Sequence, residues 1–323
     1  MDIMLKKDTN DRGFTLVELM IAMAMAGIVA AAILMSFNSQ SKTQVSQQLV
    51  VEMQQDLRAA LYLMQQDVRM AGHDPLWVDG NADGVDDNRP TDGSDNDCDT
   101  NADGADPDEA NDISGVLVAG PHTIRVRMDI DNDAADNVAD GDFCDPNELI
   151  DYGLAADTVT IDGDGIADSG ATELRRSFDI GGLQVLASSI QAVAFGYAFD
   201  DDGGAATTDG VIDTNGNNII WAYDSDGDGD LDRLLDSNND GAITAADDLN
   251  SDGWINDVVL APEVPVNRIR AVRVWILGRT RAPLRDYQDN QTYVVGNKIL
   301  TPGDNFKREL LATSMNCRNL GLR

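Results

Sequence analysis

The sequence of 323 residues has little positive charge, few cysteines and few histidines. It contains 23 lysines and arginines against 57 aspartates and glutamates, which gives a formal net charge of −34 at pH 7. Nucleic-acid binding depends on neutralising phosphates with lysine and arginine, so this composition argues against a nucleic-acid partner. The surplus of carboxylates favours divalent cations as ligands instead.

The two histidines, His73 and His122, stand alone in the sequence, and no residue pattern indicates a catalytic site. The spacing of the three cysteines, Cys98, Cys144 and Cys317, does not match a site in which thiolates bind a metal. We therefore do not expect an enzyme.

Residues 14–37 form an apolar run of 24 residues in which Glu18 is the only ionisable side chain. A helix of this length spans about 36 Å, which is enough to cross a bilayer core of about 30 Å. A carboxylate inside such a run costs roughly 2.5–3.5 kcal/mol even on insertion scales. We therefore expect Glu18 to have a functional role.

The segment Gly13-Phe14-Thr15-Leu16-Val17-Glu18 resembles the class III signal of type IV pilins and type II secretion pseudopilins. The resemblance implies that a prepilin peptidase cleaves after Gly13 and that Phe14 becomes the methylated amino terminus. It also implies that Glu18, fifth in the mature chain, pairs with the terminal amine of a neighbouring subunit. The leader carries its basic residues on the cytoplasmic side, as the positive-inside rule expects: Lys6, Lys7 and Arg12.

Two other interpretations of this run compete with a pilin signal. A secretory signal peptide is cleaved after its apolar core, and Ala30-Ala31-Ala32 offers such a site. An ordinary membrane anchor needs no glutamate. Both interpretations leave Gly13 and Glu18 unexplained, so we favour the pilin interpretation.

An amphipathic helix is predicted to continue the apolar run. Its apolar residues recur at spacings of three and four: Val45, Leu49, Met53, Leu57, Leu61, Met64 and Val68. The helix should extend from about Phe14 to Ala71, because Gly72 and Pro75 break it. We thus divide the chain into a leader (1–13), a transmembrane helix (14–37), an amphipathic helix (38–72) and a periplasmic or extracellular domain (73–323).

The domain that follows is predicted to be rich in β-strands. Alternating or apolar segments predict strands at 124–130, 158–161, 174–178, 191–199, 267–277, 292–295 and 306–315. Residues 183–190 predict a turn or a short helix. Strands that follow one long helix, with no helix between them, indicate an antiparallel sheet in an α+β domain. Three acidic insertions interrupt this framework, at 74–112, 129–146 and 200–257.

Several later segments resemble PilW-type minor pilins, which implies a subunit at the tip or in the priming complex of a type IV pilus. The resemblance covers the end of the helix and the framework strands: residues 53–58, 67–72, 267–274, 280–281, 307–313 and 318–320. The expected partners are other pilins and minor pilins, the prepilin peptidase and the inner membrane. The chain would span that membrane once and later reach the cell surface in the pilus.

Two alternative functions stay open at this point. A minor pseudopilin of type II secretion would carry the same signal, and gene neighbours would separate it from a pilin. A membrane-tethered, calcium-dependent adhesin would never polymerise, and would be found in membranes rather than in sheared filaments.

Three copies of the pattern D-x-[DN]-x-D-G repeat every twelve residues and predict calcium loops. In such loops oxygens at positions 1, 3 and 5 bind the ion, glycine at position 6 permits the turn, and an apolar position 8 anchors the loop. The predicted ligands are Asp224, Asp226, Asp228, Asp230, Asp232, Asp236, Asn238, Asp240, Thr244, Asp247, Asp248, Asn250 and Asp252. The apolar anchors are Leu231, Ile243 and Ile255. This register resembles dockerin and thrombospondin type 3 repeats.

Two shorter copies occur in the first acidic insertion: Asp79, Asn81 and Asp83, then Asp99, Asn101 and Asp103. The alternative for all of these segments is a solvated acidic surface or disorder, because such a composition cannot bury a core.

One disulfide is expected, because an anchored chain that faces outward lies in an oxidising compartment. Cys98 and Cys144 both lie in aspartate-rich, turn-rich sequence, where a cross-link would help most, so we favour this pair. Cys317 would then remain a thiol.

Overall fold

The computed structural model describes residues 15–73, 115–130, 148–155, 164–167, 170–178, 182–203 and 209–320. Several predictions lie outside these residues: cleavage between Gly13 and Phe14, the loops at 79–84 and 99–104, the strand at 158–161, and the Cys98–Cys144 pair. The chain divides into two compact units, of which one ends at Leu49 and the other begins at Val50. The domain boundaries drawn from the sequence stay predictions.

The helix α1 comprises Leu16–Met70. Thr15 caps its first turn, since its Oγ1 accepts the Glu18 N–H at 3.2 Å and its own N–H lies 3.5 Å from Glu18 Oε2. The helix ends where Gly72 adopts a φ of +70°, a conformation that glycine reaches without strain. These bounds confirm the predicted helix to within two residues at its start and one at its end.

In the first unit, the helix exposes its apolar side chains. From Leu16 to Phe37 the large apolar side chains are between 57% and 75% exposed. Among the described residues, α1 is the one helix long and apolar enough to cross a membrane. This half of the helix thus has the composition of a segment that meets lipid or other helices.

In the second unit, the helix buries one stripe against the sheet. The stripe consists of Met53, Leu57, Ala60, Met64 and Val68. Its spacings of four, three, four and four residues keep one helix face toward the core. Leu61, which the sequence placed on this face, is only half-buried, because Ala60 occupies the position in the stripe.

Ten antiparallel strands form the main sheet. They are β1 (Val116–Ala119), β2 (Ile124–Arg127), β3 (Leu149–Leu154), β4 (Thr172–Phe178), β5 (Gly182–Phe199), β8 (Ala222–Tyr223), β9 (Asp230–Leu234), β10 (Val259–Pro265), β11 (Ile269–Arg279) and β14 (Arg308–Asn316). One path runs β1-β2-β3-β4-β5-β8-β9-β10, while β11 joins β5 to β14. Two small hairpins are the other strand pairs in the part of the chain that the structure describes: β6 (Thr214–Asn215) with β7 (Asn218–Ile219), and β12 (Tyr293–Val295) with β13 (Lys298–Leu300). A long helix with an antiparallel sheet confirms the predicted α+β class.

Strand β5 is central to the sheet and corrects one prediction. Residues 183–190, predicted as a turn or a short helix, are the first half of this 18-residue strand. They pair with β4 through two register shifts, and Ser189 adopts a positive φ of 65°. These irregularities interrupt the alternation of apolar and polar residues, so the local pattern does not show the strand. The second half pairs with β11 and contains the predicted strand.

The helix packs closely against the sheet at Gly278 of β11. A Cβ atom added to Gly278 would lie 3.0 Å from both Cδ atoms of Leu57, so a larger residue there would push the helix away. Farther along the helix, the half-buried carboxylate of Asp67 accepts a hydrogen bond from the Tyr152 hydroxyl and lies 2.7 Å from Arg176 Nη2. An apolar stripe and one partly buried polar cluster therefore join this part of the helix to the sheet.

Candidate functional site

Glu18 lies in the first turn of α1, where the helix macrodipole favours a negative charge. Its carboxylate forms the second half of the capping pair with Thr15 described above. The spacing of threonine and glutamate by three residues is itself a sequence signal for the start of a helix. The structure thus places the Glu18 carboxylate beside the backbone N–H of Thr15, at the helix start.

The three aspartate-rich repeats form loops with the same hydrogen bonds. In each loop, the aspartate at position 1 accepts the N–H of the glycine at position 6: Asp224 from Gly229 at 3.1 Å, Asp236 from Gly241 at 2.8 Å, and Asp248 from Gly253 at 2.9 Å. The side chain at position 5 accepts the N–H of position 7 in each loop, at 2.8 to 3.1 Å. A shared sequence pattern therefore produces a shared turn.

Backbone conformations repeat in the same way. The glycines at position 6 have φ values of +94°, +88° and +91°, in the region where L side chains are strained. Position 4 is also left-handed in each loop, at Gly227, Asn239 and Ser251. Glycine at position 6 adopts this conformation without strain, which is the physical reason why it permits the turn.

The apolar residues at position 8 attach the loops to the domain. Leu231 and Ile255 are completely buried, while Ile243 is half-buried against the core. In the middle repeat, Asp247 is also completely buried, and its carboxylate accepts the N–H groups of Asn238 and Thr244 at 3.1 and 2.8 Å. Thr244 and Asp247 thus form a capping box on the short 3₁₀ helix Ala245–Asp247.

Carboxylates of the first repeat come close enough together to hold one cation. Asp224, Asp226 and Asp228 each offer an oxygen, and these oxygens lie within 4.8 Å of one another. Oxygens grouped this closely can share one calcium ion, whose bonds to oxygen are about 2.3–2.6 Å long. The predicted ligand Asp232 instead accepts the N–H and the hydroxyl of Ser225.

A second acidic group includes a residue that sequence reasoning missed. Asp228 and Asp230 gather with Glu263, again within 4.8 Å. Glu263 comes from β10, whose pairing of Val264 with Leu231 brings it beside the repeat. Burial and the neighbouring charges of Asp228, Asp224 and Asp226 raise the pKa of Asp230. No local motif marks Glu263, because only strand pairing places it there.

A third acidic group lies outside the repeats, where Asp200, Asp202 and Asp209 also bring oxygens within 4.8 Å of one another. The sequence analysis placed these residues in an acidic insertion and assigned them no role. All three groups offer carboxylate oxygens, which are the ligands that hard cations such as Ca²⁺ prefer.

The family model of the prokaryotic N-terminal methylation motif matches residues 8–34. This motif is the type IV pilin-like class III signal, and the match includes Gly13, Phe14 and Glu18. It indicates a type IV pilin-like or pseudopilin-like protein, with processing by a prepilin peptidase and assembly with other pilins. No curated protein and no solved structure matches the chain.

Proposed function

We propose that this chain is a PilW-like minor pilin that is inserted in the inner membrane and later assembled into a type IV pilus, at its tip or in its priming complex. The methylation motif at residues 8–34 is the observation that carries the proposal. The exposed apolar half of α1 supports it, because a filament core is built from such helix segments packed together. The sheet attached to the second half of α1 supports it as well, since it provides a domain for the filament surface.

The role of Glu18 in this proposal is electrostatic. Within the apolar run its carboxylate needs a partner of opposite charge, because an unpaired ion is costly in an environment of low polarity. The carboxylate accepts a hydrogen bond from the Thr15 N–H, but this bond supplies no positive charge. The terminal amine of an adjacent, processed subunit would supply that charge.

Replacement of Glu18 tests this assembly role. Glu18→Ala should leave membrane insertion intact, because it removes a polar group from the apolar run. The amount of the subunit in sheared pili should fall to about a tenth or less, which corresponds to a loss of about 1.4 kcal/mol or more in association. Asp286→Asn, which removes the charge of an exposed carboxylate outside the helix, is the control and should leave this amount unchanged.

Two outcomes of the shearing experiment and one outcome of a gene deletion discriminate between the candidate functions. Normal incorporation of the Glu18→Ala subunit would disprove the pairing role. A chain found in membranes and never in sheared filaments would instead be a tethered adhesin. A deletion that abolishes protein secretion and leaves piliation intact would identify a minor pseudopilin.

We also propose that calcium stabilises the domain through the repeats at 224–253. Crowded carboxylates repel one another, by about 1 kcal/mol for two charges 4 Å apart even at the dielectric constant of water. A divalent cation removes this repulsion and adds ligand bonds. The shared loop geometry and the grouping of Asp224, Asp226 and Asp228 support calcium as the ion.

Thermal unfolding of the full chain in detergent tests the calcium proposal. With a dissociation constant of about 10⁻⁴ M, millimolar calcium adds about 1.4 kcal/mol per site. Each occupied site should therefore raise the Tm by about 3–6 °C relative to chelator. Asp236→Ala combined with Asp240→Ala should remove much of this gain, and magnesium should replace calcium poorly because it demands octahedral geometry.

The matched control combines Asp56→Ala with Asp286→Ala, which removes two carboxylates from outside the repeats. It should keep the full calcium response. Equal Tm values in calcium and in chelator would show that the repeats are an acidic surface only.

A further inference from the structure

The acidic group at the end of β5 is built differently from the repeats. Asp200 follows directly after the strand, and Asp202 lies two residues on, with a positive φ of 51°. Asp209 comes from the segment that returns to the strand, where the Asp213 N–H donates to the Phe199 carbonyl at 2.8 Å. Two separate stretches of chain therefore supply the three carboxylates.

Backbone N–H groups hold one oxygen of each carboxylate. Asp200 Oδ2 accepts the Gly210 N–H at 2.9 Å, and Asp202 Oδ2 accepts the Asp209 N–H at 2.7 Å. Asp209 Oδ1 accepts the Val211 N–H at 2.8 Å. These bonds fix the direction of the three side chains while the second oxygen of each is left for another partner.

The second oxygen of Asp200 is the strongest indication of a ligand site. The Asp200 side chain is completely buried, yet its Oδ1 has no hydrogen-bond partner. Arg270 forms an ion pair with the other oxygen, Oδ2, but its Nε lies 3.7 Å away, which is too far for a hydrogen bond. A buried carboxylate oxygen without a partner is costly, so this position calls for a positively charged or proton-donating group.

We propose that Asp200, Asp202 and Asp209 bind one hard divalent cation, with calcium as the preferred ion. Their oxygens lie within 4.8 Å of one another, a grouping close enough for one calcium ion to be shared by the three carboxylates. The ion would satisfy Asp200 Oδ1 and fasten the segment 209–213 to the end of β5. The site is independent of the three repeats and of filament assembly, so it goes beyond the function proposed above.

Counting bound calcium on the full chain in detergent, by equilibrium dialysis, tests the site. Asp202→Asn combined with Asp209→Asn changes only exposed side chains, so the fold should survive, as circular dichroism can verify. The double variant should bind one calcium ion fewer per chain, or bind that ion at least about tenfold more weakly, because ligand charge sets the affinity. Asp286→Asn, an exposed aspartate that also has a positive φ, should change nothing.

The same double variant in a chain with altered repeats separates calcium binding at this site from binding at the repeats. In a chain with Asp224→Asn, Asp236→Asn and Asp248→Asn, adding the double variant should again remove one calcium ion per chain. This result does not depend on whether the repeats bind calcium. An unchanged count and an unchanged dissociation constant in the double variant would overturn the proposal.

Discussion

The two halves of helix α1 have the same backbone structure but differ in whether their apolar side chains are exposed or buried. From Leu16 to Phe37 every large apolar side chain is exposed, whereas the half that begins at Val50 buries a stripe of five residues under the sheet. Apolar surface exposed to water costs about 25 cal/mol per Å², so the first half needs an apolar environment outside its own chain. The second half finds that environment inside its own domain.

This difference separates two kinds of substitution. Changes in the second half should act on the free energy of unfolding of the domain, since they remove contacts within the chain. Changes in the first half should act on membrane insertion and assembly, and leave the unfolding of the domain unaffected. The next prediction can break this separation.

The largest effect on stability is expected for Leu57→Ala. Leu57 is completely buried and lies against the backbone of Gly278, so its truncation leaves a cavity that the helix cannot readily fill. The free energy of unfolding should fall by about 2–5 kcal/mol in urea denaturation of the full chain in detergent. Leu34→Ala, at a position 63% exposed in the first half, should change it by no more than about 0.5 kcal/mol. Equal effects of the two truncations would contradict the separation.

A smaller effect is expected for Asp67→Asn. This change places an amide group where a carboxyl group meets the Tyr152 hydroxyl and Arg176, so it weakens both contacts and should cost about 1–3 kcal/mol. Asp56→Asn is the control, because its carboxylate is more exposed and lies 3.8 Å from Arg281. The control should cost less than about 1 kcal/mol.

The pH dependence of the stability loss in Asp67→Asn follows from the pKa of Asp67. Burial raises this pKa above its ordinary value of 3.8, although Tyr152 and Arg176 oppose the shift. The folded state therefore holds a proton that the unfolded state has released, and the contribution of Asp67 to stability falls as pH rises through the folded-state pKa. The difference between the wild type and Asp67→Asn should be largest near pH 3.8 and shrink toward neutral pH. Urea denaturation over this range measures it, and a difference that grows with pH would show a lowered pKa instead.

Periodic patterns and local motifs accounted for much of the fold. Spacings of three and four predicted α1, and alternation predicted β11, because both signals are contained within the element itself. The turns of the repeats were also predictable, because the aspartate at position 1 and the glycine at position 6 that form the turn lie within six residues of sequence. Such features need no information about distant parts of the chain.

Features that depend on contacts between residues far apart in the sequence could not be predicted from local patterns. The first half of β5 is a strand because β4 pairs with it, although its own pattern is irregular. Glu263 joins Asp228 and Asp230 only through the pairing of β9 with β10. The unpaired oxygen of Asp200 follows from burial at the end of a strand, which no motif records.

The proposed function rests on cleavage after Gly13, which makes Phe14 the amino terminus of the mature protein. Intact-mass analysis of the protein purified from its native host tests it most directly. The account predicts a chain that starts at Phe14 and carries one additional methyl group, because Gly13 precedes the Phe14–Glu18 segment within the matched motif. A mature chain that starts near Ala32, or one that retains residues 1–13, would contradict it.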